Sequence, residues 1–363
     1  MSRPARVAGI TASVLYLAMQ SATSANASTT SGSATAKAAY GSAVTISPTA
    51  PSGSGLLGAT VASLVQPIVD KLTTAVNSAV NTAVRGLLNS SGNTADTTTG
   101  PAAYPTGPLA NVALPGLLSM NLYSPHGSVS ASASAYTATS AFTSAEINAF
   151  NIRIGDLAVG SASVNCPAVG SPTSTVSLSD VNLVGGYVRA RMASGKSLTD
   201  ISLDSGGSWQ SINGVGTHLT SVPGHQDLQI ATIGTYLQVS ESIGVSRLLG
   251  GLGLGGLFSG LPGQIDTNDS NLTLSITIGP GSLPVGTNGI EAWGLEVGVD
   301  VSGTIAVKEL PSLGLLGGEA VITILSGING SHYGNLMDLK LAYATCTSGA
   351  APASTRWIPP GVI

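Results

Sequence analysis

Few residues in this 363-residue sequence have types and spacings that chemistry could use. Asp200, Asp204 and Trp209 stand close together in the run from Thr199 to Trp209. Two carboxylates facing across a cleft, one held protonated, hydrolyse glycosidic bonds, and an indole beside acids suits the flat face of a sugar. On one strand, however, Asp200 and Asp204 line a single edge. The three residues are therefore ligand-binding candidates, and no residue is assigned a catalytic role.

The other constellations are weaker. His225 and Asp227 are two apart and would share one side of a strand, with His218 seven residues earlier. A solvated turn around Pro223-Gly224 explains them more simply than a metal site. Asp266 to Asn271 supplies oxygen ligands of the kind calcium takes, but Asn271 stands where an EF-hand loop needs glycine and Thr277 where it needs a bidentate glutamate. No metal ligands are assigned. Gly251 to Gly256 matches G-x-G-x-x-G inside a glycine-rich stretch with no clear strand before it, so no dinucleotide or other cofactor is expected. Neither H-E-x-x-H nor G-x-S-x-G occurs.

Cys166 and Cys346 are the only cysteines. In an exported protein such a pair is expected to be oxidised, and the bridge would enclose most of the β-patterned sequence. Two isolated buried thiols are the alternative. For so long a loop, chain entropy gives a ceiling of about 5 kcal/mol.

Charged residues make up 8% of the chain, against roughly 25% in ordinary soluble domains. With 43% hydrophobic residues and 47 glycines, the surface must be covered largely by Ser, Thr, Asn and Gly. The 13 basic and 17 acidic residues give a net charge of −4, no footprint for a polyphosphate, so a nucleic-acid partner is excluded. The first residues read as an export signal: Arg3 and Arg6, an apolar stretch from Val7 to Met19, then Ala25-Asn26-Ala27. Cleavage after Ala27 would start the mature chain at Ser28. The tail carries neither a hydrophobic anchor nor a sorting motif, which predicts a protein released from the cell or held to the wall by contacts.

Residues 28–55, rich in Ser, Thr, Ala and Gly, read as a flexible arm with at most a short strand near residues 43–46. Over 56–88, Leu57, Val61, Leu64, Ile68, Leu72, Val76, Val80, Val84 and Leu87 recur three or four residues apart, which predicts one long amphipathic helix, kinked at Pro67. Residues 89–116 read as a proline-punctuated linker, 117–350 as a β-rich domain and 351–363 as a tail. Within the β-rich part, Trp293, Leu295, Val297, Val299 and Val301 alternate with Glu296, Gly298, Asp300 and Ser302. Leu272 to Ile278 alternate likewise with Asn271 to Thr277, and Val129, Ala131, Ala133 and Ala135 share a face. Such strands are half-buried and antiparallel, one side dry and one wet. With turn signals at Gly185-Gly186, Gly206-Gly207, Pro223-Gly224 and Asn288-Gly289, the expected fold is mainly β: an antiparallel β-sandwich or irregular β-barrel with one long N-terminal helix.

The signal, Tyr40-Gly41, the alternating run Ser130-Ala131-Ser132-Ala133-Ser134-Ala135 and the stretch Asp180-Val181-Asn182-Leu183-Val184-Gly185-Gly186 resemble the choice-of-anchor secreted proteins of Gram-positive bacteria, the P type most nearly. The resemblance implies a β-rich cell-surface domain with no catalytic residues to carry over. The expected function is structural or adhesive, through envelope components or self-association. A secreted carbohydrate-binding or carbohydrate-hydrolysing protein, and a self-assembling pore or surface layer, are the alternatives.

Overall fold

A computed structural model describes residues 32–43, 66–67, 69–71, 73–75, 77–78, 82, 94–97, 102–104, 109–114, 118–149, 152–179, 181–183, 188–193, 197–203, 210–211, 217–219, 228–233, 236–247, 264–310, 318–324 and 337–349. Among them the strands are, in chain order, β1 (Ser33–Ala43), β2 (Thr94–Asp96), β3 (Ala102–Tyr104), β4 (Leu109–Leu114), β5 (Leu118–Tyr123), β6 (His126–Ala131) and β7 (Ala135–Ala149). There follow β8 (Ile152–Pro167), β9 (Thr173–Leu178), β10 (Val181–Leu183), β11 (Val188–Ala193), β12 (Ser197–Leu203), β13 (Gln210–Ser211) and β14 (Thr217–Leu219). The last six are β15 (Leu228–Ile233), β16 (Tyr236–Ile243), β17 (Gln264–Val285), β18 (Gly289–Leu310), β19 (Gly318–Ile324) and β20 (Met337–Thr347).

These strands form two antiparallel sheets. Sheet A has nine strands in the order β14-β15-β16-β17-β18-β20-β1-β2, with β19 added beside β18. Sheet B has eleven, in the order β13-β12-β11-β10-β8-β7-β5-β4, with β3, β6 and β9 off that path. Neither sheet closes on itself, so a barrel is not what this sequence makes. Strands β1, β18 and β20 of sheet A lie against β7 and β8 of sheet B.

Small residues set that contact. Ala34, Ala36, Ala38, Ala292 and Ala344 are fully buried, as is Ala138 of sheet B. A methyl group placed on Gly294 would lie 2.6 Å from the Ser161 amide nitrogen, and any side chain at Gly160 would collide with the buried Phe142 ring. The two backbones thus meet where side chains are absent, and Phe142 covers the glycine across from it. Ser140 donates from its hydroxyl to the Lys37 carbonyl at 2.8 Å, and the Cys166–Cys346 disulfide joins β8 to β20. The expected cysteine pairing is present, with Cα atoms 5.8 Å apart.

Several expectations need correction. The long helix over 56–88 is not seen. Most of that span lies outside the described residues; scattered positions between Gln66 and Thr82 have helical backbone, and Thr73 donates to the Val69 carbonyl at 2.7 Å. Ser33–Ala43, expected to be arm, is β1, paired along its length with β20. Its alternation uses alanine where a sequence reading looks for Val or Leu, so its burial is invisible to hydropathy. The expected linker contains β2, β3 and β4. The Ser130 to Ala135 run is a hairpin rather than one face of a strand, because the Ser132 hydroxyl accepts the amides of Ser134 (3.3 Å) and Ala135 (3.0 Å) and reverses the chain.

The β17–β18 hairpin carries the most consequential difference. Its turn is where the sequence signals it, with Val285 opposite Gly289 and Gly286 at φ +63°. Yet through the middle of the hairpin neither side is wet: Glu296 is 0% exposed, Thr277 1% and Asp300 5%, while Asn271 and most residues near the turn stay exposed. Nor does the period of two hold throughout. Gly279 pairs with Glu296 but Gly281 pairs with Trp293, so β18 contains an extra residue there, a bulge that moves Trp293 to the side of Glu296. On the neighbouring strand Ala342 has φ +52°, in the left-handed region, and turns β20 in step. The export segment and the tail lie outside the described residues.

Candidate functional site

Only some of the residues singled out by sequence are among the described ones. Asp200 belongs to β12, where its backbone pairs with Arg191 of β11 and Ser211 of β13. Asp204 and Trp209 lie outside the described residues. His218 is in β14 opposite Gln229, and His225 and Asp227 fall outside the described residues. The segment Asp266 to Asn271 is a bulge of β17 rather than a free loop. Asp269 there accepts from the Lys308 ammonium at 2.7 Å, and the Ser270 hydroxyl accepts the Ala306 amide at 3.0 Å. Among the described residues no three His, Cys, Asp or Glu side chains come together as a metal site.

What the fold does assemble is a buried polar cluster on the face of sheet A that carries Glu296. The bulge in β18 places Glu291, Trp293 and Glu296 on one side at spacings of two and three, and the turn at Ala342 does the same for Asp338, Lys340 and Tyr343 of β20. Facing them, Tyr236 of β16 lies over Gly279 and Gly281. A methyl group on Gly279 would be 2.7 Å from the Tyr236 ring, and one on Gly281 would be 2.7 Å from the Trp293 indole. These glycines are the space into which the two rings fit.

The hydrogen bonds run in two chains. The Trp293 indole donates to the Tyr236 hydroxyl (3.3 Å), which donates to Glu296 Oε2 (2.6 Å). Nearby, Lys340 Nζ donates to Glu291 Oε1 (3.0 Å) and the Tyr343 hydroxyl to Glu291 Oε2 (2.8 Å). Lys340 Nζ also sits 3.6 Å from the centre of the Trp293 ring, a cation over an aromatic face. The Tyr343 ring stacks on Tyr40 of β1 at 4.3 Å between centroids, and Lys37 lies over Tyr40 at 5.0 Å. The cluster thus crosses five strands of sheet A, from β16 to β1.

Its electrostatics follow from burial. Burial first, then the neighbouring Asp338 carboxylate and a hydrogen bond to it, push the Glu296 carboxyl up to about 9, against the opposing pull of the Tyr236 hydroxyl and Lys340. Glu296 Oε1 has no donor when both acids are ionised, because neither carboxylate can donate to the other. A proton on Glu296 Oε1 would make that oxygen a donor toward Asp338. Burial and the adjoining Glu291 charge raise the Tyr343 phenol far above its usual range. Burial lowers the Lys37 ammonium, opposed by Asp96.

Sequence reasoning placed Glu296 and Asp300 on a wet face and so passed over this cluster. Two signals were available. In a chain so poor in charge, Glu291, Glu296, Asp338 and Lys340 stand among mostly apolar and small residues, and both triplets share the spacing of two then three that marks a bulge. The chain matches no protein-family model, no curated protein and no solved structure.

Proposed function

We propose that this chain is an exported, non-enzymatic structural or adhesive protein of the Gram-positive cell envelope, akin to the choice-of-anchor group, released or wall-associated after its first 27 residues are removed. The observation that carries this reading is the Cys166–Cys346 disulfide. It uses both cysteines of the chain and joins one sheet to the other, an arrangement that persists in oxidising compartments and is rare in a reducing cytosol.

The surface it offers for contact is the side of sheet B turned away from sheet A. There Ser128 meets Thr139 (2.9 Å between hydroxyls) and Ser161 meets Ser177 (2.6 Å), while Thr173 and Thr175 stand exposed on β9. Such a face has donors and acceptors in rows, and the positions named are uncharged, which suits uncharged, hydroxylated envelope material. Fractionation of producing cells, with alkylation of thiols before lysis, tests the reading. Recovery in the medium or wall fraction, beginning at Ser28 and with neither cysteine alkylated, is the expected result. A cytosolic protein beginning at Met1 with two reactive thiols overturns it.

A further inference from the structure

Two acids are buried close together on the Glu296 face of sheet A. Lys340 donates to Glu291 and lies over the Trp293 ring. Glu296 is fully buried and receives one hydrogen bond, from a neutral phenol. Asp338, 3% exposed, is its diagonal neighbour on β20, two residues from Lys340 with which Glu296 pairs, and Glu296 Oε1 on this face receives no hydrogen bond. Two like charges side by side at low dielectric repel strongly, and each also loses its hydration.

We propose that Glu296 and Asp338 share a single proton, Glu296 Oε1–H donating to the Asp338 carboxylate, and that this proton locks β18 to β20 so that its loss in alkaline solution loosens the outer layer of sheet A. The step is a simple acid dissociation: the Glu296 O–H bond breaks, hydroxide takes the proton as water, and both carboxylates are left ionised.

The surroundings decide the direction. From β16 the group facing Glu296 is the Tyr236 phenol, and from β17 the facing residues are Thr277, Gly279 and Gly281, none of which titrates. On β18 itself Glu291 and Asp300 add negative charge, while β20 contributes Asp338, Lys340 and the Tyr343 phenol. Lys37 and Tyr40 of β1 stand beyond Tyr343. Full burial of Glu296, with Asp338 close by, favours the protonated carboxyl. Because the folded carboxyl titrates above its unfolded value, the stability it gives is full below about 4.5 and is lost as pH rises to about 9.

The test uses the full chain with its disulfide intact. Thermal unfolding is followed from about pH 5 to about pH 9 for the wild type and Glu296→Gln, whose amide keeps a donor toward Asp338 without a titratable proton. The wild-type midpoint should fall steadily over that range while the variant stays level. Infrared spectra of the wild type at neutral pH should show a buried protonated carboxyl band that fades in alkali and is missing from Glu296→Gln. Parallel midpoint curves, or no such band in the wild type, overturn the proposal. Should the variant fail to fold, the wild-type infrared titration decides alone.

Discussion

The two sides of β18 and β20 are built on opposite principles. Toward sheet B they present alanine, glycine and a disulfide, packed until backbones touch at Gly294 and Ser161. Away from sheet B they present Glu291, Trp293, Glu296, Asp338 and Lys340, joined by hydrogen bonds and by one ammonium over an indole. The first side is held by shape and a covalent link, with no titratable group in it. The second is held by proton placement and charge. Burial alone therefore does not say how a strand is stabilised, and the two sides should fail under different insults.

Removing the covalent link should have the largest effect. Cys166→Ala with Cys346→Ala opens a loop of 180 residues and should lower stability by up to about 5 kcal/mol, read as a shifted denaturant midpoint that does not depend on pH. Next comes volume: Gly294→Ala forces a methyl group against the backbone of β8 and should cost about 1–3 kcal/mol, again at every pH. On the polar side, Tyr236→Phe leaves the Trp293 indole and Glu296 without their shared hydroxyl, for a loss of about 1–3 kcal/mol. It also removes a hydrogen bond that favours the charged Glu296, so the alkaline loss of stability should extend to higher pH, visible in melts across the pH range. The smallest effect belongs to Lys308→Ala, which deletes an exposed ion pair with Asp269 and should change stability by less than about 1 kcal/mol, vanishing at high salt. If Gly294→Ala proved pH-dependent, or Tyr236→Phe pH-independent, the contrast between the two sides would be lost.

Sequence patterning reached the first side and not the second. The Trp293 to Val301 alternation identified β18, and the two cysteines identified their own pairing, because each rests on a local or compartmental rule. Strand β1 escaped because alanine in a close-packed layer gives no hydropathy contrast with the serines and threonines around it. The polar cluster escaped because a bulge opposite Gly279–Gly281 and a left-handed Ala342 invert the faces midway, and a strict period of two cannot express that. Asp200, Asp204 and Trp209 were prominent in the sequence because acids and indoles are scarce in it, and of the three only Asp200 is among the described residues.

One pairing bears on when this molecule can become itself. Ser33 at the start of β1 bonds to Thr347 at the end of β20, 314 positions later, and β1 lies between β20 and the three-residue β2. A ribosome or translocase delivers β1 early, yet its main neighbour arrives last. The β20-β1-β2 end of sheet A is therefore finished after chain synthesis, at a rate limited by long-range closure. Until then an early segment must be kept from adhering elsewhere, which its small, weakly hydrophobic residues make easier.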